Sequence, residues 1–411
     1  MQTDLAPEFA NTALGNEAEA ILRKCVHCGF CTATCPTYQI LGDELDGPRG
    51  RIYQIKEVLE GQPVTREVQT HLDRCLTCRA CETTCPSGVD YGRLVDIGRH
   101  LVESRSHRPL HERVMRALLL RVIPNRPLFS ALMRMGQTFR WAVPSALQKK
   151  IPTKTAAPRW PEAQHGRRML VLEACAQPSA TPNVNAAAAR VLDRLGITLV
   201  RIPAAGCCGA VAHHLSDSAR TIDAMKRNID AWWPEIDAGI EAIVVTASGC
   251  GVMVKDYGHL LAHDAAYAAK AQTIAALAKD PVEILEGEPL ETLRLQDGPP
   301  VAFHAPCTLQ HGQRLPGVTE RLLQRLGIEL TPVADSHLCC GSAGTYSILQ
   351  PALSQQLLSN KLACLEHGAP AVIATANVGC QLHLSTGATT PVVHWIELID
   401  QRISESGQPC R

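Results

Sequence analysis

From residue 167 to the C-terminus, apolar and polar positions follow two alternating rhythms. Short apolar runs, RRMLVLEAC (167–175), ITLVRIP (197–203) and EAIVVTAS (241–248), have the length and β-branched content of buried strands. Between them, NAAAARVLDRLG (185–196) and SARTIDAMKRNIDAWW (218–233) carry apolar residues at helical spacing. The same order returns further on. PPVAFHAPC (299–307), IELTPVA (328–334) and AVIATAN (371–377) read as strands, and GVTERLLQRLG (317–327) and LSQQLLSNKLACLEHG (353–368) as helices. RVLDRLGI and RLLQRLGI align directly, and Gly196 and Gly327 stand where a left-handed helix end favours glycine. Strands alternating with helices predict a parallel α/β sandwich, built twice.

Earlier in the chain the rhythm is helical. RIYQIKEVLEG (51–61) and REVQTHLDRC (66–75) have helical spacing, and so do VMRALLLRVI (114–123) and LFSALMRM (128–135). The expected architecture is therefore α/β and multidomain. A helical domain spans 1–100, a helical bridge and linker 101–166, and the duplicated sandwich 167–295 and 296–411.

Composition narrows the chemistry. The 411 residues carry equal numbers of acidic and basic side chains, so no global charge draws the chain to nucleic acid or membrane. The first twenty residues lack the basic start and apolar run of a secretory signal, and no run approaches about 18 apolar residues. Eighteen cysteines are the outlying number. In a long chain without an export signal they point to metal ligands or redox groups.

Eight of them form two copies of one spacing. CVHCGFCTATCP places Cys25, Cys28, Cys31 and Cys35 at C-x2-C-x2-C-x3-C-P, and CLTCRACETTCP does the same with Cys75, Cys78, Cys81 and Cys85. The spacing is that of bacterial two-cluster ferredoxins. Two-residue gaps let a tight turn aim three thiolates at one cubane, and in such ferredoxins the fourth cysteine serves the other cluster. One [4Fe–4S] cluster is thus expected on Cys25, Cys28, Cys31 and Cys85, the second on Cys75, Cys78, Cys81 and Cys35. Zinc also takes four thiolates, but usually from two separated pairs. The long segment between the copies calls for a helical variant of the ferredoxin domain, whose task is one-electron transfer.

The other cysteines follow the duplication. Each repeat holds one cysteine after its first strand, an adjacent pair followed by glycine, and one cysteine after a later strand. The sets are Cys175, Cys207, Cys208 and Cys250, and Cys307, Cys339, Cys340 and Cys380. All fall at the carboxyl edge of the expected sheets, where ligand sites form. Adjacent soft thiols beside a turning glycine read as two arms of one ligand set. His213, His214, His304, His311 and His337 lie near these loops and read first as hydrogen-bonded loop residues. Cys364 reads as core and Cys410 as a tail thiol.

From Leu101 to Leu170, across the bridge and into the first repeat, the chain is basic. Arg105, Arg108, Arg113, Arg116, Arg121, Arg126, Arg134, Arg140, Lys149, Lys150, Lys154, Arg159, Arg167 and Arg168 stand against Glu103, Glu112 and Glu162. The plain reading is a solvated face on bridging helices; the sharper one is a dock for an acidic partner or an anionic membrane.

The paired cluster motifs, GPRGRI (47–52), CAQPSATPNVNAAAARVLDRLG (175–196) and HAPCTLQHGQR (304–314) together resemble the iron–sulfur subunits of bacterial glycolate oxidase along essentially the whole chain. The layout is also similar to the C subunit of anaerobic glycerol-3-phosphate dehydrogenase. The CCG repeats resemble those of heterodisulfide reductase and lactate-utilisation proteins.

The resemblance implies a cytoplasmic complex in which flavoprotein subunits carrying FAD oxidise glycolate to glyoxylate, with D-lactate a second substrate; the sharper reading of the basic bridge would make it peripheral on the cytoplasmic face of the inner membrane. This chain would carry the electrons onward to a membrane quinone or another acceptor. It has no G-x-G-x-x-G after a strand, so the flavin is expected on a partner, and no catalytic residue is expected on this chain. The fuller CCG pattern ends in C-x2-C, but Ala247 and Asn377 stand here where its first cysteine would be. The CCG sets read either as holders of additional iron–sulfur clusters or as structural and partner-facing remnants. The competing functions are the iron–sulfur subunit of a glycerol-3-phosphate dehydrogenase-type or lactate-utilisation complex, a heterodisulfide-reductase-like thiol–disulfide enzyme, against which the absent cysteines count, and a membrane-anchoring adaptor.

Overall fold

The computed structural model describes residues 1–142, 148, 151–154 and 158–403. Lys149, Lys150 and Cys410 lie outside the described residues. The chain forms two compact units. One comprises Met1–Ala117, His214–Ser216 and His337–Lys361, the other Leu118–His213, Asp217–Ser336 and Leu362–Arg411.

The first unit is helical. Helices Ala13–Lys24, Pro48–Leu59, Arg66–Asp73 and Tyr91–Arg105 surround a core of Leu22, Ile55, Leu59, Leu72, Leu94 and Val95, each at most 1 % exposed. The two segments with helical spacing around Ile52 and Leu72 are the Pro48–Leu59 and Arg66–Asp73 helices, as the pattern predicts. Thr65 starts the second of these by accepting the Val68 N–H at 3.3 Å.

The second unit holds two parallel sheets. Strands β1 (Arg167–Val171), β2 (Ile197–Arg201), β3 (Ile243–Val244) and β4 (Ala278–Lys279) run in the order β2-β1-β3-β4. Strands β5 (Val301–His304), β6 (Val372–Thr375) and β7 (Val392–His394) run in the order β5-β6-β7. All strand pairings within both sheets are parallel. The α/β duplication is therefore present.

One expected strand is nearly absent. IELTPVA makes a single parallel bridge, Val301 with Leu330. Pro332 follows, and its missing N–H ends the ladder there. Strands β4 and β7, two and three residues long, are too short to stand out as apolar runs.

The two repeats share one core. Val171, Val184, Ile197, Val301, Phe303, Ala374, Trp395 and Ile399 belong to a single buried cluster. Arg190 on the Asn183–Asp193 helix reaches Asp400 on the Trp395–Arg402 helix at 2.6 Å. His394 joins them again: its ring Nε2 lies 2.9 Å from the Thr246 carbonyl, and its Nδ1 accepts the Ile396 N–H at 3.2 Å.

The bridge forms helices Leu110–Val122 and Arg126–Thr138. Part of the positive charge of the bridge and of the adjoining start of β1 is answered by acids outside the bridge. Arg105 pairs with Glu8, Arg108 with Asp73, Arg126 with Glu173, Arg167 with Glu241 and Glu288, and Arg168 with Glu235. A count confined to the segment overstates its surplus, because the fold brings in carboxylates from distant sequence. Leu110, Val114 and Leu118 form an exposed apolar stripe one helical turn apart, while Leu119 is buried.

Candidate metal centres

The two C-x2-C-x2-C loops adopt matching backbones. In the first, His27 and Gly29 have φ of 57° and 86°; in the second, Thr77 and Arg79 have 53° and 60°. These left-handed residues fall between successive cysteines and turn the chain so that side chains three residues apart converge. Thr77 and Arg79 hold this conformation without being glycine, the kind of local strain that collects at functional sites. Short helices follow each loop, with Pro36 opening Pro36–Leu41 directly after Cys35.

Two cavities result. Cys25, Cys28, Cys31 and Cys85 line one. Cys35, Cys75 and Cys78 line the other, and Cys81 lines both. Burial pushes the Cys31 thiol up to about 11, with Cys25, Cys28 and Cys85 close enough to add to it. Burial also drives Cys81 far above the ordinary thiol range, with Cys78, Cys75 and Cys35 adding to the shift. Crowded and largely buried sulfurs cannot all ionise without positive charge among them. An iron–sulfur core supplies that charge, so four thiols around one space, twice over, fit a cubane in each.

The cavities differ in exposure. Cys28 is exposed, and beside it Val26 and Phe30 are 68 % and 61 % exposed. Cys35, Cys75 and Cys81 are all buried.

The GPRGRI segment supports both. Pro48 lines both cavities. A Cβ on Gly50 would lie 2.1 Å from the Glu44 carbonyl oxygen, so only glycine permits that approach. Arg49 pairs with Glu44 at 2.6 Å. Arg51 is 1 % exposed and bonds to Thr37 Oγ1 at 3.2 Å, to the His71 carbonyl at 2.7 Å and to Asp46 at 3.4 Å. Arg51, Thr37, Asp46 and Tyr91 are the support that the sequence did not disclose, since nothing in their spacing marks them.

In the second unit, the first CCG set assembles at the carboxyl ends of β1, β2 and β3. The strand order reverses between β1 and β3, where open α/β sheets place their ligand crevice. Cys175, Cys207 and Cys208 are buried and Cys250 is half-buried. Their sulfurs form a chain, Cys175 to Cys207 to Cys208 to Cys250. Hydrogen bonds from Cys175 and Cys208, the Gly209 N–H and the nearby Arg227 charge bring Cys207 well below the ordinary thiol range. Cys175 is raised by donating to Cys207 and by burial, and Cys208 by its bonds to Cys207 and Cys250. Cys207 is therefore the sulfur of the set on which the neighbouring donors converge.

The backbone of the pair is clamped. Asn228 donates to the Cys207 carbonyl at 3.0 Å, and the Tyr257 hydroxyl to the Cys208 carbonyl at 2.8 Å. Both residues are fully buried. Gly209 has a φ of 95°, and Gly341 in the second repeat 88°. A Cβ at Gly341 would lie 2.6 Å from the Ser354 carbonyl oxygen. Glycine is thus needed after each cysteine pair.

The second set falls in different compact units. Cys307 and Cys380 belong to the second unit, and Cys339 and Cys340 to the His337–Lys361 segment of the first. Cys339 accepts the Gly341 N–H at 3.4 Å. Ala247 and Asn377 occupy the N-cap positions of the Ser248–Lys255 and Val378–Leu384 helices. The Asn377 amide donates to Cys380 Sγ at 3.4 Å, so a hydrogen bond stands where the fuller motif would place a fifth thiol. Among the nearby histidines, His304 ends β5 and is 1 % exposed, and His311 is buried. His213 and His337 are half-buried and His214 is exposed. Cys364 is half-buried in the Pro351–Glu366 helix.

A helical two-cavity domain ahead of duplicated cysteine-rich α/β repeats defines an iron–sulfur electron carrier of the two-cubane class. Residues 21–89 match the 4Fe-4S dicluster domain, and residues 169–255 and 301–385 each match the cysteine-rich CCG domain. The chain is 56 % identical to the glycolate oxidase iron-sulfur subunit of Escherichia coli (strain K12), over 98 % of this chain and 100 % of that one. It is 30 % identical to the probable glycolate oxidase iron-sulfur subunit of Bacillus subtilis (strain 168), over 90 % of this chain and 89 % of that one. Lactate utilization protein A of Bacillus licheniformis is 29 % identical over 54 % of this chain and 93 % of its own length. A crystal structure of a hypothetical protein from Helicobacter pylori shares the fold, with a TM-score of 0.56 at 9 % identity, covering 98 % of this chain and 74 % of that one. This chain belongs to the family of glycolate oxidase iron–sulfur subunits.

Proposed function

We propose that this chain is the electron-carrying subunit of a cytoplasmic complex that oxidises glycolate to glyoxylate on a partner flavoprotein and delivers the electrons to a membrane quinone. The observation that supports it most is the convergence of the eight ferredoxin-type cysteines on two cavities, with Cys81 lining both. We assign Cys25, Cys28, Cys31 and Cys85 to one [4Fe–4S] cluster and Cys75, Cys78, Cys81 and Cys35 to the other. Bound there, the clusters supply one-electron carriers. The residues of this chain hold them, exclude water and set their surroundings. The exposed Cys28 edge faces the exchange partner, and the glycolate assignment rests on the relatives.

We further assign Cys175, Cys207, Cys208 and Cys250 to a metal-binding thiol set, on the strength of their sulfur chain at the carboxyl ends of β1, β2 and β3 and of the donors that converge on Cys207. Cys307, Cys339, Cys340 and Cys380 are assigned with them by the repeat alone. Among the described residues, no helix is long and apolar enough to cross a membrane. Peripheral attachment at the cytoplasmic face is supported by the Leu110–Val114–Leu118 stripe, with Arg113 and Arg121 exposed beside it.

The test is anaerobic. The tagged chain is drawn from its native cells with its partners, and the visible iron–sulfur absorbance is followed after addition of glycolate. Bleaching by glycolate and not by glycerol-3-phosphate is expected. No bleaching in a preparation that dithionite still reduces would reject glycolate as the electron source.

A further inference from the structure

The two cavities differ in what surrounds their sulfurs, and the difference has a direction. Tyr91 opens the Tyr91–Arg105 helix and is 4 % exposed. Its hydroxyl donates to Cys75 Sγ at 3.6 Å, and the Thr77 N–H donates to the same sulfur at 3.4 Å. Its ring lies in the wall common to both cavities. Arg51, which lines the Cys35–Cys75 cavity, is buried with its charge. Asp46 is its carboxylate partner, but Asp46 also pairs with Arg74 at 2.8 Å, so one anion answers two guanidinium cations. Arg51 also bonds to Thr37 Oγ1, which lies 3.3 Å from Cys35 Sγ. At the other cavity Arg49 is matched by its own carboxylate, Glu44, the Met1 amino group on the Cys25 carbonyl at 2.7 Å is only half-buried, and Cys28 is open to water.

Reduction adds one negative charge to a cluster and its thiolates. Donors to sulfur and buried positive charge favour the reduced form and raise the potential. Given the two-cubane reading above, we propose that Tyr91, with Arg51 beneath it, makes the Cys35/Cys75/Cys78/Cys81 centre the higher-potential of the two. Electrons exchanged at the exposed Cys28 edge then come to rest on the buried centre. Tyr91 is a positioning residue: it acts on the thiolate, and its ring keeps the two centres apart.

The experiment is a redox titration, followed by electron paramagnetic resonance, of the purified complex carrying Tyr91→Phe. Cys78→Ser, expected to lack the second signal, identifies which centre is which. Tyr91→Phe keeps the ring and removes one donor. The expected result is a fall of the second centre's potential by about 59 mV, a tenfold change in its ratio of reduced to oxidised forms, with the first centre unmoved. Equal potentials in variant and native protein, or movement of the first centre alone, would overturn the proposal. An iron content well short of about eight in the native chain would overturn the two-cubane reading instead, and the proposal with it. If Tyr91→Phe loses iron, Arg51→Lys and Arg51→Gln decide: loss of charge lowers the second potential and retention holds it, and equal effects reject the assignment.

Discussion

The Tyr346 hydroxyl donates to the main-chain carbonyl of Arg74 at 3.0 Å, one residue before Cys75. Tyr346 lies five residues after the glycine of the second cysteine pair, in the His337–Lys361 segment that belongs to the helical unit. Burial pushes the hydroxyl well above its ordinary range, so it stays a donor at neutral pH. Tyr346→Phe keeps the ring and removes this bond, at a cost of about 1 kcal/mol. Amide exchange across 337–361 is expected to quicken roughly fivefold, the factor that energy represents. Unchanged exchange in that segment would show that the bond does not anchor it.

The shared-ligand arrangement makes a prediction about pairs. Cys35 and Cys75 are far apart in sequence but line one cavity, as do Cys25 and Cys85. Cys35→Ser and Cys75→Ser should therefore abolish the same spectroscopic signal, and Cys25→Ser and Cys85→Ser the other. Each should lower iron by about four per chain, the content of one cubane. If Cys35→Ser instead removed the signal lost with Cys25→Ser, each motif would serve a single cluster.

In the first CCG set, Cys207 is the acceptor of two thiols and a main-chain N–H. Cys207→Ser should release any metal held there and leave the two cubane signals intact. Metal analysis reads this directly, as an excess over about eight irons, or a bound zinc, that disappears in the variant. Asn228→Ala should weaken the same retention about tenfold, because the amide fixes the Cys207 carbonyl and hence the loop. No metal beyond the cubanes in native protein would reject the assignment of the set.

Much of this arrangement is written in the sequence, and the limit of legibility has a physical cause. Cysteine spacing is local, so both loops and the duplication of the α/β unit can be read directly. The glycines after each pair are legible for the same reason. The supports are not local. Asn228 reaches Cys207 across 21 positions, and Arg51 is held to the His71 carbonyl across 20. A buried arginine looks like a surface one until its acceptors are in place. The basic bridge misleads in the opposite sense, because Glu8, Asp73, Glu173 and Glu235 pair with its arginines from outside. Strands of two or three residues such as β4 and β7 are set by neighbours as much as by their own side chains.

Two buried groups in the second unit oppose each other in pH dependence. Burial raises Asp280 to about 7 and lowers His394 to about 4. Asp280 caps the Pro281–Leu285 helix through the Val282 N–H at 3.1 Å. Its folded value lies above the unfolded value of 3.8, so its contribution is full below about 4 and is lost as pH rises through about 7. His394 is depressed below its ordinary 6.5, so its contribution is present above that pH and is lost as pH falls toward about 4. Between about pH 4 and 6.5 the two slopes have opposite signs, each on the order of 1 kcal/mol per pH unit at most. Asp280→Asn retains a capping side chain and removes one slope. Relative to native protein, the variant should lose stability more steeply on acidification from pH 6.5 to 4.5, because the His394 slope is then unopposed. His394→Gln should show the reverse, a gain on acidification relative to native protein. Denaturant melts at three pH values in that window measure both, and parallel curves for native protein and the Asp280→Asn variant would show that the carboxyl is already ionised there.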